Sequence, residues 1–238
     1  MAHERSICLN SENSIAMIAP IVQSTAGVTI VGGGPVSAAE FRLSLARAPR
    51  IIAADGGADR VLAAGYLPEA VVGDFDSISD HARNTIGTAR LFPILEQMTT
   101  DFDKALRSVD APFTLALGFA GARIDHGLAV LNTLVRHPDR RCILIGPRDV
   151  VFHAPPRLQL ALRRGDRFSL FPMAPVTGDS TGLDWPTGGI AFAPHGMIGT
   201  SNRVTEGPVT LAMDGPGMLV ILPRTRLDAA LTALLAAG

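Results

Sequence analysis

The sequence predicts an α/β protein in which a parallel sheet carries helices on both faces and a small all-β unit follows. Three observations predict it. Short apolar runs alternate with stretches of helical spacing between residues 28 and 145, the pattern of repeated strand–helix units. After residue 147 helical spacing disappears, and short runs separated by glycine and proline take over, as in an antiparallel sandwich or barrel. Finally, each glycine- or aspartate-rich loop of the first part directly follows an apolar run, where open α/β sheets bind ligands.

In chain order, residues 1–26 show no period and read as a loose N-terminal extension. Residues 28–31 form the first strand, leading into Gly32-Gly33-Gly34-Pro35, a loop with unusual backbone freedom. Helical spacing over 37–47 sets Phe41, Leu45 and Ala48 on one side. The second strand, 51–54, ends at Asp55-Gly56-Gly57, and a helix over 58–64 stops at Gly65. A third strand at 70–72 runs into Gly73-Asp74-Phe75-Asp76-Ser77, and Ser79 caps a helix reaching residue 86. A fourth strand at 91–95 is broken by Pro93, and a helix starts at Thr100 or Asp101. A strand at 113–117, a helix at 124–135 and a strand at 142–145 complete the first part. Pro155-Pro156 reads as a connector. Beyond it, runs at 158–162, 168–171, 190–193, 209–213 and 218–222 are the expected strands, before an alanine- and leucine-rich tail from Leu227. The expected domains are 27–150, α/β and Rossmann-like, and 157–238, a β-sandwich.

Composition narrows the function. A net charge of −1 without a basic stripe argues against nucleic acid as main partner. No run reaches the roughly 18 apolar residues of a membrane span, and the first 20 residues lack the continuous apolar core of a secretory signal. The two cysteines, Cys8 and Cys142, stand in no metal or redox spacing, which fits a reducing compartment. The expectation is a cytoplasmic protein.

The chemistry centres on Asp74 and Asp76. If the strand continues past Gly73, period-two geometry points both carboxylates the same way. Such a pair is costly unless a cation lies between them, and Mg²⁺, which takes hard oxygen ligands and shares them with phosphates, is the natural one. Asp-x-Asp-Ser is also ordinary turn chemistry. Gly32-Gly33-Gly34 suits a phosphate cradle or a simple turn; it is neither Gly-x-Gly-x-x-Gly nor a P-loop. Asp55 stands at a strand end beside two glycines. Thr100 and Asp101 open a helix, where they could cap it or hold a metal-phosphate or a hydroxyl. Arg123 suits a bidentate phosphate contact oriented by Asp125, or an Arg–Asp surface pair, and His126 follows. Trp185, the lone tryptophan, suits core packing or a flat face for a cationic ring. Ser201-Asn202 reads as a turn.

Together, Asp55-Gly56-Gly57-Ala58, Gly73-Asp74-Phe75-Asp76-Ser77, Gln97 with Thr100-Asp101-Phe102-Asp103-Lys104-Ala105-Leu106, and Gly121-x-Arg123-x-Asp125-His126 resemble thiamine pyrophosphokinases. Gly182-Leu183-x-Trp185-Pro186 and Ser201-Asn202 are similar to that family's second domain. The resemblance implies transfer of diphosphate from ATP to thiamine, with Mg²⁺, in a homodimer whose active site lies between subunits. It implies that Asp74 and Asp76, with Asp55 nearby, hold metal and polyphosphate. Asp101 and Thr100 would position thiamine and phosphate, Gln97 the substrate, and Arg123 with Asp125 the nucleotide. Gly56, Ser77 and His126 would complete that side, while Trp185, Ser201 and Asn202 would face thiamine. A pterin diphosphokinase would keep the aspartates but change the acceptor pocket, against which Trp185 and Ser201-Asn202 argue. A non-catalytic thiamine or nucleotide binder would lose the metal carboxylates, which this chain keeps. The chain departs from the family at Met98, where an aspartate is usual. With four aspartates remaining, Met98 is expected to pack without catalytic cost.

Overall fold

A computed structural model describes residues 19–121 and 123–237. Most of the expected extension, residues 1–18 with Cys8, lies outside the described residues. Its described end is not loose: Val22–Gln23 forms β1, Val22 is buried, and the strand pairs in parallel with Val109–Asp110. Two residues are too few to show a period.

The alternation then runs β2 (Val28–Val31), α1 (Ala38–Leu45), β3 (Arg50–Ala54), α2 (Gly57–Ala63), β4 (Ala70–Gly73), α3 (Asp80–Ile86), β5 (Leu91–Pro93), α4 (Asp101–Arg107), β6 (Val109–Asp110), β7 (Thr114–Leu117), α5 (Ile124–Arg136) and β8 (Cys142–Ile145). Local chemistry sets the helix starts. Ser37 Oγ accepts from the Glu40 amide while Glu40 returns a bond to the Ser37 amide at 2.7 Å, closing a capping box on α1. Ser79 Oγ accepts from the Ala82 amide at 3.1 Å to cap α3, and Thr100 caps α4. After α2, Gly65 takes the left-handed φ of 82° that glycine adopts without strain.

The second half supplies β9 (Asp149–His153), β10 (Arg157–Leu160), β11 (Arg167–Pro172), β12 (Gly178–Thr181), β13 (Gly199–Arg203), β14 (Val209–Met213), β15 (Met218–Pro223) and α6 (Leu227–Ala236). The expected strand at 190–193 is absent. Phe192 makes only isolated bridges, to Val176 and Met197, because Gly188-Gly189 and Pro194 interrupt any ladder. β12 and β13 are polar enough to show no apolar run.

A ten-stranded sheet orders these strands β13-β11-β15-β9-β8-β7-β2-β3-β4-β5. The six strands from β8 to β5 are parallel, and the antiparallel pairs begin where β9 joins β8. The fold is mixed α/β about a central, mostly parallel sheet. The sheet crosses the change in composition unbroken, since β9 pairs with β8 on one side and β15 on the other. Alternation along the strands separates two cores. Ile30, Ile52 and Val72 pack toward Phe102, Leu106 and Leu134 of α4 and α5, whereas Val31, Ile51 and Val71 pack toward Phe41, Val61 and Ala82 of α1–α3. The latter core continues into Leu170, Leu211 and Val220, so the small sheet β10-β14-β12 shares it with the antiparallel end of the large one.

Because one core spans both halves, urea unfolding should be a single transition. Far-UV circular dichroism, dominated by the helices, and fluorescence of Trp185, in the second half, should give the same midpoint. Separate midpoints would show two independent units.

Candidate active site

Beyond the carboxyl ends of the parallel strands lies a cleft of about 430 Å³. Asp55 is its most constrained group. It follows β3 with a left-handed φ of 43°, donates its amide to Val72 O at 2.9 Å and is 2% exposed. Gly73 permits this approach, since a β-carbon there would lie 2.9 Å from Asp55 Cβ. Asp55 Oδ2 accepts from the Ser77 amide at 3.2 Å, but the buried Oδ1 has no hydrogen-bond partner among the described residues. Burial first, then Asp76 and Asp101, push this carboxyl up to about 6.

Asp74 and Asp101 complete the cluster, with carboxylate oxygens of Asp55, Asp74 and Asp101 all within 4.8 Å of one another. Asp74 Oδ2 accepts from Gln97 Nε2 at 3.0 Å and lies 3.5 Å from Lys104 Nζ. The Gln97 amide foremost, with Lys104, holds Asp74 below the ordinary carboxylate value. Asp101, 3.3 Å from Lys104, is raised, chiefly by burial.

The strand does not continue past Gly73. Phe75 turns the chain with φ 67°, and Arg83 secures the turn by donating to Phe75 O beneath a cation–π contact with the Phe75 ring. The alternation expected to aim Asp74 and Asp76 together therefore does not apply. Asp76 instead accepts from Ser77 Oγ at 2.7 Å and influences Asp55; the tight group contains Asp101 in its place.

Of the residues picked out by sequence, Asp55, Gly56, Asp74, Ser77 and Gln97 line the cleft, as do Thr100, Asp101, Arg123 and His126. Asp125 forms a forked pair with Arg123, at 3.1 and 2.5 Å, on the exposed rim. Trp185, Ser201 and Asn202 form a second group that does not line it. Trp185 is 61% exposed, so the core-packing alternative fails. Asn202 is buried with its amide committed: Oδ1 accepts from the Trp185 and Arg203 amides, and Nδ2 donates to Trp185 O at 2.7 Å. It is a clasp for the tryptophan loop, not an open ligand. Met98 is 75% exposed and does not pack as expected.

Lys104, 2% exposed between two aspartates, was missed as a site residue. Its signal was available: three positions after Asp101, it shares that residue's helix face. Gly33, Gly34 and Gly118 also line the cleft, and close backbone packing explains two of them. The Gly34 amide donates to Gly118 O at 2.9 Å, which a β-carbon on Gly34 would approach to 2.6 Å.

A mostly parallel sheet with carboxylates and a lysine converging beyond its strand ends defines the class, an α/β protein with an acidic cleft where such sheets bind ligands. Residues 41–145 match the family "Thiamin pyrophosphokinase, catalytic domain". Thiamine pyrophosphokinase 1 of Arabidopsis thaliana is 28% identical over 199 residues, covering 68% of this chain and 74% of its own. Thiamine pyrophosphokinase 3 of Oryza sativa subsp. japonica is 26% identical over 209 residues, covering 73% and 78%. The fold is that of thiamin pyrophosphokinase from Candida albicans, with TM-score 0.71, 17% identity and coverage of 83% and 90%. The Bacillus subtilis structure gives 0.66, 22%, 83% and 98%. The family match and these relatives point the same way, to thiamine pyrophosphokinases, with 44% of the chain inside the matched catalytic domain.

The electrostatics have a testable sign. Asp55 is raised in the folded state from 3.8 to about 6, so its contribution to stability is present below about pH 4 and lost as pH rises toward 6. Without divalent metal, Asp55→Asn should melt higher than wild type at pH 8, with the advantage shrinking at pH 4. An unchanged difference across that range would show that the carboxylate carries no such strain.

Proposed function

We propose that the chain transfers a diphosphate group from ATP to the hydroxyethyl oxygen of thiamine, giving thiamine diphosphate and AMP. The observation that carries this reading is the convergence of Asp55, Asp74 and Asp101 around a buried oxygen that has no partner among the described residues, in a chain whose residues 41–145 match a thiamin pyrophosphokinase catalytic domain. Hard carboxylate donors with one oxygen unsatisfied suit Mg²⁺. Asp55 and Asp74 would hold it with Asp76 and Asp101 alongside, and when bound it supplies charge neutralisation for the polyphosphate. Lys104 adds a fixed positive charge, and Gln97 orients Asp74. The thiamine hydroxyl attacks the β-phosphorus in line. The bond from that phosphorus to the α–β bridging oxygen breaks, and AMP leaves with that oxygen. Asp101, raised by burial toward the range useful to a base, takes the hydroxyl proton. Arg123 on the rim answers phosphate charge.

In this reading residues 27–150 form a Rossmann-like catalytic domain and 157–238 a β-sandwich that binds thiamine. Trp185, exposed and clasped by Asn202, offers its face to the thiamine cation. Its position outside its own chain's cleft supports a homodimer in which one subunit's Trp185 and Ser201 serve the other's aspartates. Among the described residues no helix is long and apolar enough to cross a membrane, and Cys142 is a buried free thiol. A reducing cytoplasmic setting suits that thiol.

Incubated with ATP, Mg²⁺ and thiamine, the purified protein should form AMP and thiamine diphosphate in equal amounts. ADP with thiamine monophosphate would place attack at the γ-phosphorus and overturn the assignment.

A further inference from the structure

Residues 94–100 lie outside any regular element, yet Gln97, Thr99 and Thr100 of this segment line the cleft. Gln97 donates to Asp74, and Thr100 caps α4. A turn of this kind is costly to order when it is free. Here it is tied to a buried ionic network that the proposed reaction does not use.

The network starts at Asp103, 1% exposed on α4. Its Oδ1 accepts from Arg107 Nε at 2.6 Å, and its Oδ2 from Arg136 Nη1 at 3.1 Å, with His137 Nε2 at 3.3 Å. Burial alone would raise the Asp103 carboxyl, but donors on His137 and Arg107 hold it below its ordinary value. Arg107 thus has its Nε fixed, and its Nη2 reaches Glu96 Oε1 at 2.9 Å and Thr99 Oγ1 at 3.0 Å. Glu96 then wraps the turn from within. Its Oε1 accepts from Thr99 Oγ1 and its Oε2 from the Met98 amide at 3.3 Å. Contacts therefore run from α5 through Asp103, Arg107 and Glu96 to the turn that presents Gln97 to Asp74. They also explain why Met98 can be exposed: its backbone, not its side chain, holds the turn.

We propose that Glu96, anchored by Arg107, is a positioning residue that keeps the 97–100 turn in the conformation competent to bind magnesium–ATP. The proposal rests on reading the cleft as the catalytic site. Without Glu96 the turn samples other conformations, and apparent affinity falls by the fraction of time it is competent, whereas the complex once formed reacts normally. A turn competent one-tenth of the time raises the apparent constant about tenfold.

Glu96→Ala is the test, because Glu96 is partly exposed and its loss leaves the Asp103–Arg107 pair intact. Hydrogen exchange by mass spectrometry should quicken at least tenfold in 94–100, with α4 and α5 unchanged. KM for magnesium–ATP should rise about tenfold with kcat within threefold, and Glu96→Gln, which keeps an acceptor for the Met98 amide, should recover part of the loss. Exchange unchanged in 94–100, or raised equally through α4 and α5, would reduce Glu96 to a structural role and overturn the proposal. So would a loss confined to kcat. If wild type forms no AMP with thiamine, the assigned reaction fails; hydrogen exchange and binding of magnesium–ATP, read by calorimetry, still decide the role of Glu96.

Discussion

Like-charge crowding is the constraint on which the site depends. Three strand-end and helix-start aspartates converge to within 4.8 Å, one of them almost wholly buried. Unscreened carboxylates at such distances repel strongly away from bulk water. The fold limits this with the Ser77 amide on Asp55, the Gln97 amide on Asp74, and Lys104 between Asp74 and Asp101. It does not remove it. Asp55 Oδ1 is left without a partner among the described residues and the carboxyl is pushed up to about 6. The proposed role for Mg²⁺ rests on that residual repulsion, which a bound cation would relieve.

The rest of the molecule places those groups and keeps them from relaxing apart. Gly73 lets β4 pass close beneath Asp55, and the clamp of Arg83 on the left-handed Phe75 fixes where Asp74 leaves the strand. On the opposite wall, Asp103, Arg107 and Glu96 do the same for Gln97. Both walls grow from the same parallel sheet, which continues through β9 into the antiparallel half bearing Trp185 and Asn202.

Much of this was legible in the sequence, for identifiable reasons. Caps at Ser79 and Thr100 announce helix starts because their side-chain chemistry is local, and the apolar runs of buried parallel strands stand out from polar loops. Asp55, Asp74 and Asp101 each follow such a local signal. What could not be read depends on contacts distant in sequence or on backbone angles. The turn at Phe75 defeats period-two reasoning, since a left-handed phenylalanine has no sequence signature. Asn202 looked like a turn residue or a ligand, and its role as a clasp appears only once Trp185 lies against it. β1 is too short for periodicity, and β13 too polar to resemble a strand.

Proton release on metal binding tests the central claim most directly. At pH 6 a carboxyl pushed up to about 6 is roughly half protonated, so Mg²⁺ entering the cluster must displace that proton. Calorimetric titration of the protein with Mg²⁺, in buffers of different ionisation enthalpy, should report about half a proton released per metal at pH 6 and almost none at pH 8. Binding with no proton release at pH 6 would contradict the account, because the metal would then not be relieving the crowded carboxylates.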